Sequence, residues 1–159
     1  MQADPFDEAA FFEALASSGA RVLLIGRRAL VALGVPVGTF DYDLWVHIDD
    51  IHLLNQALVP FDLFPNKTPE QARASGMYVL ENGEKVDVFV ARSVPTKDGT
   101  QRLDFDTAWE HRQSVRYGPS GTLTLPSIPD LIVTKRWSMR PKDVLDIQAL
   151  EVLLRKEQP

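Results

Sequence analysis

Three aspartates lie in two apolar stretches of the sequence, and their spacing suits them to bind a metal ion. Asp41 and Asp43 stand one residue apart in the run 39–46, TFDYDLWV, which otherwise has the composition of a buried β-strand. Side chains two residues apart in a strand project from the same face, so both carboxylates should enter one small volume. Asp87 occupies a second strand-like run at 85–90, KVDVFV. Burying unpaired carboxylates is costly, and a hard divalent cation such as Mg²⁺ would offset that cost, so the pattern predicts a metal site.

An Asp-x-Asp pair is a weak signal by itself, because such pairs more often lie on a solvated strand face or in a turn. Here the neighbouring residues favour a covered face. Trp45 continues the strand face of Asp41 and Asp43, and Phe89 shares the face of Asp87. Large aromatic side chains are mostly buried, so their position on these faces argues against simple exposure of the acids. We therefore prefer a covered three-acid site to a solvated surface.

The segments around the first two acids predict the elements that position them. The run 22–25, VLLI, is short, continuous and apolar, which is typical of a central strand. Gly26 ends this strand, and residues 27–33 predict a helix that stops at Gly34. Residues 41–48 then predict the strand that carries the acids. A tight turn at Gly26 would therefore lie beside them.

The remaining segments predict further helices and two hairpins. The Asn82-Gly83 pair between two apolar runs is a typical hairpin turn. The other predicted elements are a helix from Asp4-Pro5 to about Ser18-Gly19, a helix capped by Asp49 and ending at Leu58, a short edge strand at 61–64, hairpin strands at 77–80 and 85–91, a short helix at 107–111, a second hairpin at 114–117 and 122–125, a helix from Ser127 through Trp137, and a last helix that begins at Pro141.

This order of elements predicts an α/β (α+β) protein, in which a mixed sheet is covered by helices and followed by a C-terminal helical segment. The length of 159 residues suits a single domain, 1–159. Within it, we expect residues 20–92 to form the sheet core that carries the acids. Residues 126–157 are expected to form the C-terminal helices.

The composition predicts a soluble, cytoplasmic protein. Hydrophobic residues make up 45% of the chain, and no apolar stretch is long enough to cross a membrane. The N-terminus is acidic and lacks the basic start of a secretory signal, and the absence of cysteine excludes disulfides and thiolate metal sites. The net charge of −5 argues against general binding to nucleic acids. A neutral or cationic acceptor is easier to reconcile with that charge.

The motifs, taken in order, resemble the nucleotidyltransferase superfamily in its minimal, toxin-associated branch. That family has a strand, a Gly-Gly or Gly-Ser turn that opens a helix, a strand with Asp-x-Asp, and a third acid on a later strand. The segments that carry the resemblance are LIGR at 24–27, TFDYDL at 39–44, VDV at 86–88, LPSIPDLIVTK at 125–135 and RPKDVLDI at 140–147. The resemblance therefore extends over most of the chain, from about Val22 to Leu150.

The resemblance implies transfer of a nucleoside monophosphate from a nucleoside triphosphate, with ATP expected, to an acceptor hydroxyl in the presence of Mg²⁺ (or Mn²⁺). Two such ions roughly 3.5–4 Å apart stabilise the attacking and leaving oxygens together. Asp41 and Asp43 would hold the metals, and Asp87 would complete the second metal site or accept the acceptor's proton. The Gly26 turn would bring backbone N–H groups to the triphosphate, and Lys135 would reach its phosphates.

Arg27 departs from the family pattern, which has a small residue at the second position of the turn. A small residue lets the phosphates approach the backbone, and a long side chain there would obstruct them. An arginine at this place would alternatively bind a phosphate through its guanidinium group. The sequence does not decide between these two roles.

The acceptor and the activity also have alternatives. The acceptor would be a small molecule, a protein or an RNA end. A non-catalytic relative that keeps the fold and binds or regulates a partner protein, as in a toxin–antitoxin pair, is a rival interpretation that Arg27 supports and the three retained acids oppose. A metal-dependent phosphohydrolase is another, because a carboxylate cluster can direct water at phosphorus. The turn at Gly26 favours triphosphate binding, and hence the transferase.

Overall fold

The computed structural model describes residues 6–39, 41–119 and 121–157, and within them the chain forms nine β-strands and seven α-helices. Five of the strands make one mixed sheet in the order β1-β2-β5-β4-β3. Their bounds are Val22–Ile25 (β1), Tyr42–Val46 (β2), Phe64–Pro65 (β3), Met77–Asn82 (β4) and Glu84–Phe89 (β5).

The other strands form two small antiparallel pairs, and the helices surround the large sheet. The pairs are β6 (Ser93–Pro95) with β7 (Arg102–Asp104), and β8 (Gln113–Tyr117) with β9 (Gly121–Leu125). The helices are α1 (Glu8–Ser17), α2 (Gly26–Ala32), α3 (Ile51–Leu58), α4 (Pro69–Ser75), α5 (Phe105–Glu110), α6 (Ile128–Lys135) and α7 (Pro141–Glu157). None of the helices in the described residues is both long and apolar enough to cross a membrane.

The central strands β2 and β5 run parallel, and the alternation of their side chains gives the sheet two different faces. On one face Tyr42 packs on Phe11 of α1, with 5.0 Å between the ring centroids. On the other face Trp45 is fully buried beneath Phe105 and Trp137, whose ring centroids lie 5.2 and 5.1 Å away. The second face is the one on which the predicted acids lie, and it is covered as the aromatic neighbours indicated.

The predicted architecture is confirmed: a mixed sheet with helices packed on it and a helical C-terminal segment. Strand β1 has the predicted bounds, and β4 and β5 form the predicted hairpin around Gly83. Strand β2 is shorter than the predicted 41–48, so that Asp41 immediately precedes the strand. The second hairpin, β8 with β9, and the helix start at Pro141 were also predicted correctly.

Two predicted helix starts need correction. Helix α3 is not capped by Asp49: the N-cap is Asp50, and its carboxylate accepts hydrogen bonds from the backbone N–H and Nε of Arg21, both at 2.8 Å. Helix α1 begins at Glu8, where the Asp7 carboxylate accepts from the Ala10 backbone N–H at 3.0 Å. The predicted start at Asp4-Pro5 lies outside the described residues.

Other differences concern short elements. Instead of an edge strand at 61–64, the chain makes a 3₁₀ turn at Val59–Phe61 and pairs Phe64–Pro65 with β4. Helix α4 was missed, although Thr68 and Gln71 form a capping box that marks its start. Helix α6 is capped by Ser127 as predicted but ends at Lys135, two residues before Trp137.

Candidate active site

A cleft of about 440 Å³ opens beside the end of β1, the start of β2 and the second half of β5, where helices α6 and α7 approach the sheet. Five of the six residues predicted for the site line it. The lining consists of Ile25, Gly26, Asp41, Asp43, Asp87, Phe89, Val94, Thr134, Lys135, Trp137, Ser138, Arg140, Lys142 and Asp143.

Strand register brings the acids and the turn together. Asp43 of β2 lies opposite Asp87 of the parallel strand β5 and opposite Ile25 of the antiparallel strand β1. Gly26 follows Ile25 directly, with φ +73°, and a Cβ atom at this position would overlap the Asp43 carboxylate. Asp41 stands just before β2 and is exposed. Two acids on neighbouring strands and a glycine turn therefore share one end of the sheet.

The carboxylates make the electrostatic potential of the cleft more negative. Burial, and after it the nearby charges of Asp87 and Asp41, raise the pKa of Asp43 to about 6, while Lys135 and Lys142 act in the opposite direction. The two lysines therefore offset only part of the cost of ionising Asp43. A cation entering the cleft would find charge that the chain has not neutralised.

The donor atoms fit a hard divalent cation, because carboxylate oxygens are the ligands that Mg²⁺ and Mn²⁺ prefer. In the described part of the chain, however, no three His, Asp or Glu side chains already stand close enough together to enclose a metal ion. Asp87 instead lies 3.6 Å from the ammonium group of Lys85. The metal-binding role of Asp41, Asp43 and Asp87 therefore stays a prediction, and binding would require their side chains to turn toward one point.

Lys135 lies at the base of the cleft in a buried ion pair. Its side chain is 6% exposed, and its Nζ atom lies 2.8 Å from Oδ2 of Asp146 and 3.9 Å from Oδ1 of Asp143. An ammonium group at this place borders the acids from the helical side. Its contact with phosphate stays a prediction.

Asp143 and Asp146 are the residues that sequence reasoning missed, because acids at the start of a helix usually cap or solvate it. Both are buried, and they share the inner face of α7 with Ile147 and Leu150. The spacing 143, 146, 147, 150 is that of one buried helix face, and this is the signal that could have revealed them.

Asp143 fixes the connection between α6 and α7. Its Oδ2 atom accepts hydrogen bonds from the Ser138 hydroxyl at 2.9 Å and from the backbone N–H and Nε of Arg140 at 2.8 and 3.1 Å. Burial alone would raise the pKa of Asp143, but the hydrogen bonds from Arg140 and Ser138 outweigh it and lower the pKa. Asp143 is therefore a charged, structural acid in the wall of the cleft.

Arg27 is the one predicted site residue that does not line the cleft. Its Nε atom lies 3.2 Å from Oδ2 of Asp146, and its Nη1 atom donates to the Gly38 carbonyl at 3.4 Å. The side chain therefore runs toward α7. In this position it neither obstructs the turn at Gly26 nor reaches into the cleft.

The remaining wall of the cleft is apolar and comes from Phe89, Val94 and Trp137. The Trp137 ring stands at 90° to the buried Trp45 ring, with 5.1 Å between centroids, and its centroid is 6.0 Å from that of Phe89. Trp137 is half-buried, so it packs against the core and also lines the cleft. The cleft thus combines an acidic floor, cations on its helical side and one aromatic wall.

Comparisons with known proteins identify the fold. No family model matches the sequence, and no curated protein matches it either. Among solved structures, the chain is similar to the proposed nucleotidyltransferase TM1012 of Thermotoga maritima, with a TM-score of 0.57 and 14% identity over 92% of this chain and 89% of that one.

It is also similar to the antibiotic-resistance factor ANT(2'')-Ia, with a TM-score of 0.63 and 12% identity over 91% of this chain and 80% of that one. These identities are low, but both similarities extend over almost the whole chain. The chain therefore has a nucleotidyltransferase-like fold, as its motifs indicated.

Proposed function

We propose that this protein is a metal-dependent nucleotidyltransferase that moves a nucleoside monophosphate from a nucleoside triphosphate to an acceptor hydroxyl. The observation that carries the proposal is the pairing of Asp43 with Asp87 across β2 and β5, directly beside the Gly26 turn in the cleft. The fold that the chain has in common with TM1012 and ANT(2'')-Ia supports it.

In this proposal Asp41 and Asp43 hold Mg²⁺ or Mn²⁺, and Asp87 contributes the third carboxylate. Divalent ions bound there would stabilise the negative charge that develops on the phosphoryl oxygens. The uncompensated charge indicated by the raised pKa of Asp43 supports a cation-binding role for these oxygens.

The chain's own groups then bind and orient the substrates. Lys135 at the base and Lys142 on the rim of the cleft supply positive charge for the phosphates of ATP. The turn at Gly26 carries no side chain of its own and lies against the Asp43 carboxylate, so in this proposal the nucleotide approaches its backbone beside that carboxylate.

The reaction requires a base that takes the proton of the acceptor hydroxyl, and we propose Asp87 for this role. The acceptor hydroxyl must lose its proton as its oxygen forms a bond to the α-phosphorus, and the bond from that phosphorus to the bridging oxygen of pyrophosphate breaks. A carboxylate within reach of the hydroxyl accepts this proton. Asp87 is the acid of the cleft that stands on the far side of Asp43 from β1.

Nucleotide binding tests the proposal first. We expect Mg²⁺ with ATP to raise the melting temperature by several degrees, because ligand at a hundred times its Kd adds about 2.7 kcal/mol and each kcal/mol shifts a domain of this size by roughly 2–4 °C. Each of the other nucleoside triphosphates is measured beside ATP. Asp43→Asn is the control and should lose the shift while remaining folded; no shift with any nucleotide in the native protein would favour the non-catalytic alternative.

Product analysis then distinguishes the reactions. ATP labelled at its α-phosphate is incubated with Mg²⁺ and small hydroxyl compounds, proteins or RNA ends as acceptors. Hydroxylated antibiotics belong in the first group because ANT(2'')-Ia is an antibiotic-resistance factor. Pyrophosphate together with labelled acceptor supports transfer, whereas free AMP without labelled acceptor would indicate a phosphohydrolase.

A further inference from the structure

One buried oxygen holds two cations that belong to different helices. Oδ2 of Asp146 on α7 lies 3.2 Å from Nε of Arg27 on α2 and 2.8 Å from Nζ of Lys135 on α6. The Asp146 side chain is 1% exposed, and its Oδ1 atom has no hydrogen-bond partner among the described residues. Arg27 and Lys135 therefore both contact the same oxygen of Asp146, Oδ2.

The position of Arg27 makes this contact important for the cleft. Arg27 follows Gly26, whose backbone lies against the Asp43 carboxylate. Among the described residues, its guanidinium group has one hydrogen-bond partner besides Asp146, the Gly38 carbonyl at 3.4 Å. A guanidinium group released from Asp146 would be drawn to the carboxylates of the cleft, because a flexible cation and uncompensated anions attract each other strongly where water is scarce.

We propose that Asp146 is a positioning residue that holds Arg27 against α7 and so keeps the nucleotide cleft open. This inference rests on the proposed function, since the cleft it keeps open is the nucleotide site. It explains why a long side chain is tolerated at a position where the family that the chain resembles has a small one. Asp146, 119 positions later in the chain, directs the arginine away from the turn.

The contact with Lys135 provides a competing explanation, which the variants must separate. Loss of Asp146 would also leave the buried Lys135 ammonium with Asp143, at 3.9 Å, as its remaining ion-pair partner among the described residues. If Asp146 acted through Lys135 alone, removal of Arg27 would not repair its loss. If it acts through Arg27, removal of the arginine restores the cleft.

The test compares Asp146→Asn, Arg27→Ser and the double variant by calorimetric titration with Mg²⁺ and ATP. We expect Asp146→Asn to raise Kd by about tenfold or more, equivalent to 1.4 kcal/mol. Arg27→Ser alone should stay within about twofold of the native Kd, and the double variant within about threefold. The double variant loses one positive and one negative charge, so its net charge equals that of the native protein.

Asp143→Asn is the matched control, because Asp143 is equally buried on the same helix but has no hydrogen bond or ion pair with Arg27. Adding Arg27→Ser to Asp143→Asn should restore nothing. A double variant of Asp146 that binds as weakly as Asp146→Asn would overturn the proposal. A large loss in Arg27→Ser alone would also overturn it, by making Arg27 a phosphate ligand.

An NMR measurement of arginine side-chain N–H groups tests the contact without any nucleotide. The Nε–H group of Arg27 should exchange slowly with water in the native protein and rapidly in Asp146→Asn. Rapid exchange in the native protein would contradict the proposal even if the chain binds ATP. Slow exchange in a protein that binds no nucleotide would leave the contact standing and refute the proposed function instead.

Discussion

The Asp43 carboxylate, which the proposed function needs in its ionised form, destabilises the folded protein when it is ionised. Its pKa of about 6, against an ordinary value of 3.8, reflects burial first and then the charges of Asp87 and Asp41. Between these two pKa values the folded chain binds more protons at Asp43 than the unfolded chain does. Stability at this residue is therefore greatest below pH 3.8 and is lost as pH rises through 6.

We predict that Asp43→Asn stabilises the metal-free protein at pH 7 and changes nothing below pH 4. The upper limit is about 3 kcal/mol, from roughly 1.4 kcal/mol for each unit of pKa. Melting temperatures measured in EDTA across this pH range check it. An equal melting temperature for both proteins at pH 7 would mean that the native carboxylate is already compensated.

Asp98 provides a control of opposite sign for that measurement. The backbone N–H of Thr100 and the hydroxyls of Thr96 and Thr100 donate to its carboxylate and lower its pKa to about 2. Its contribution to stability is present above 3.8 and is lost as pH falls through 2. Asp98→Asn should therefore lower the melting temperature at pH 7, where Asp43→Asn raises it.

Among the elements, the turn from β1 to α2 is the most constrained, because two separate requirements select glycine at position 26. The positive φ of +73° strains any L-residue, and a Cβ atom would in addition overlap the Asp43 carboxylate. We predict that Gly26→Ala is destabilising by about 2–4 kcal/mol, from backbone strain together with displacement of a buried group. Chemical denaturation measures the loss.

Gly34→Ala separates the two causes. Gly34 also has a positive φ, +90°, but no heavy atom lies within 4 Å of a Cβ built on it. This variant should show the backbone strain alone, at about 1 kcal/mol. If Gly26→Ala lowers the free energy of unfolding no more than Gly34→Ala does, the close approach of Asp43 to the turn is not a reason for glycine at position 26.

Elements that depend on local sequence could be predicted, and the contacts between distant elements could not. The apolar runs gave β1, β2 and β5, and the Asn82-Gly83 pair gave the hairpin, because each signal lies within a few neighbouring residues. Asp41 and Asp43 could be placed on one face of their strand for the same reason. Register between strands then brought Asp43 opposite Asp87.

The roles of Arg27 and Asp146 depend on how α7 packs against α2, and nothing local encodes that packing. The sequence left two roles open for Arg27, obstruction of the phosphates or binding to one of them. Both roles assume a side chain that points into the cleft. The ion pair with Asp146 turns it elsewhere. Asp146 itself was missed, since its burial becomes visible only when the acids are counted with the apolar face of α7.

At the scale of the whole molecule, charge decides how a nucleotide can approach. The chain carries a net charge of −5, and four carboxylates line the cleft, so free ATP would meet repulsion both at a distance and at contact. Lys135 and Lys142 oppose this repulsion only in part, because the Lys135 ammonium is already paired with Asp146. Under the proposed function, a divalent cation would therefore have to reverse the local charge before the triphosphate binds.

We predict that removing divalent metal abolishes ATP binding and that adding Mg²⁺ or Mn²⁺ restores it. Quenching of Trp137 fluorescence follows binding, because this ring lines the cleft whereas Trp45 is buried beneath it. Titrations in EDTA, Mg²⁺ and Mn²⁺ are compared with the same titrations of Asp43→Asn, which should respond to ATP in none of them. Binding of ATP in EDTA with the same affinity as in Mg²⁺ would mean that protein cations alone bind the triphosphate. It would contradict the prediction that the acids of the cleft are metal ligands.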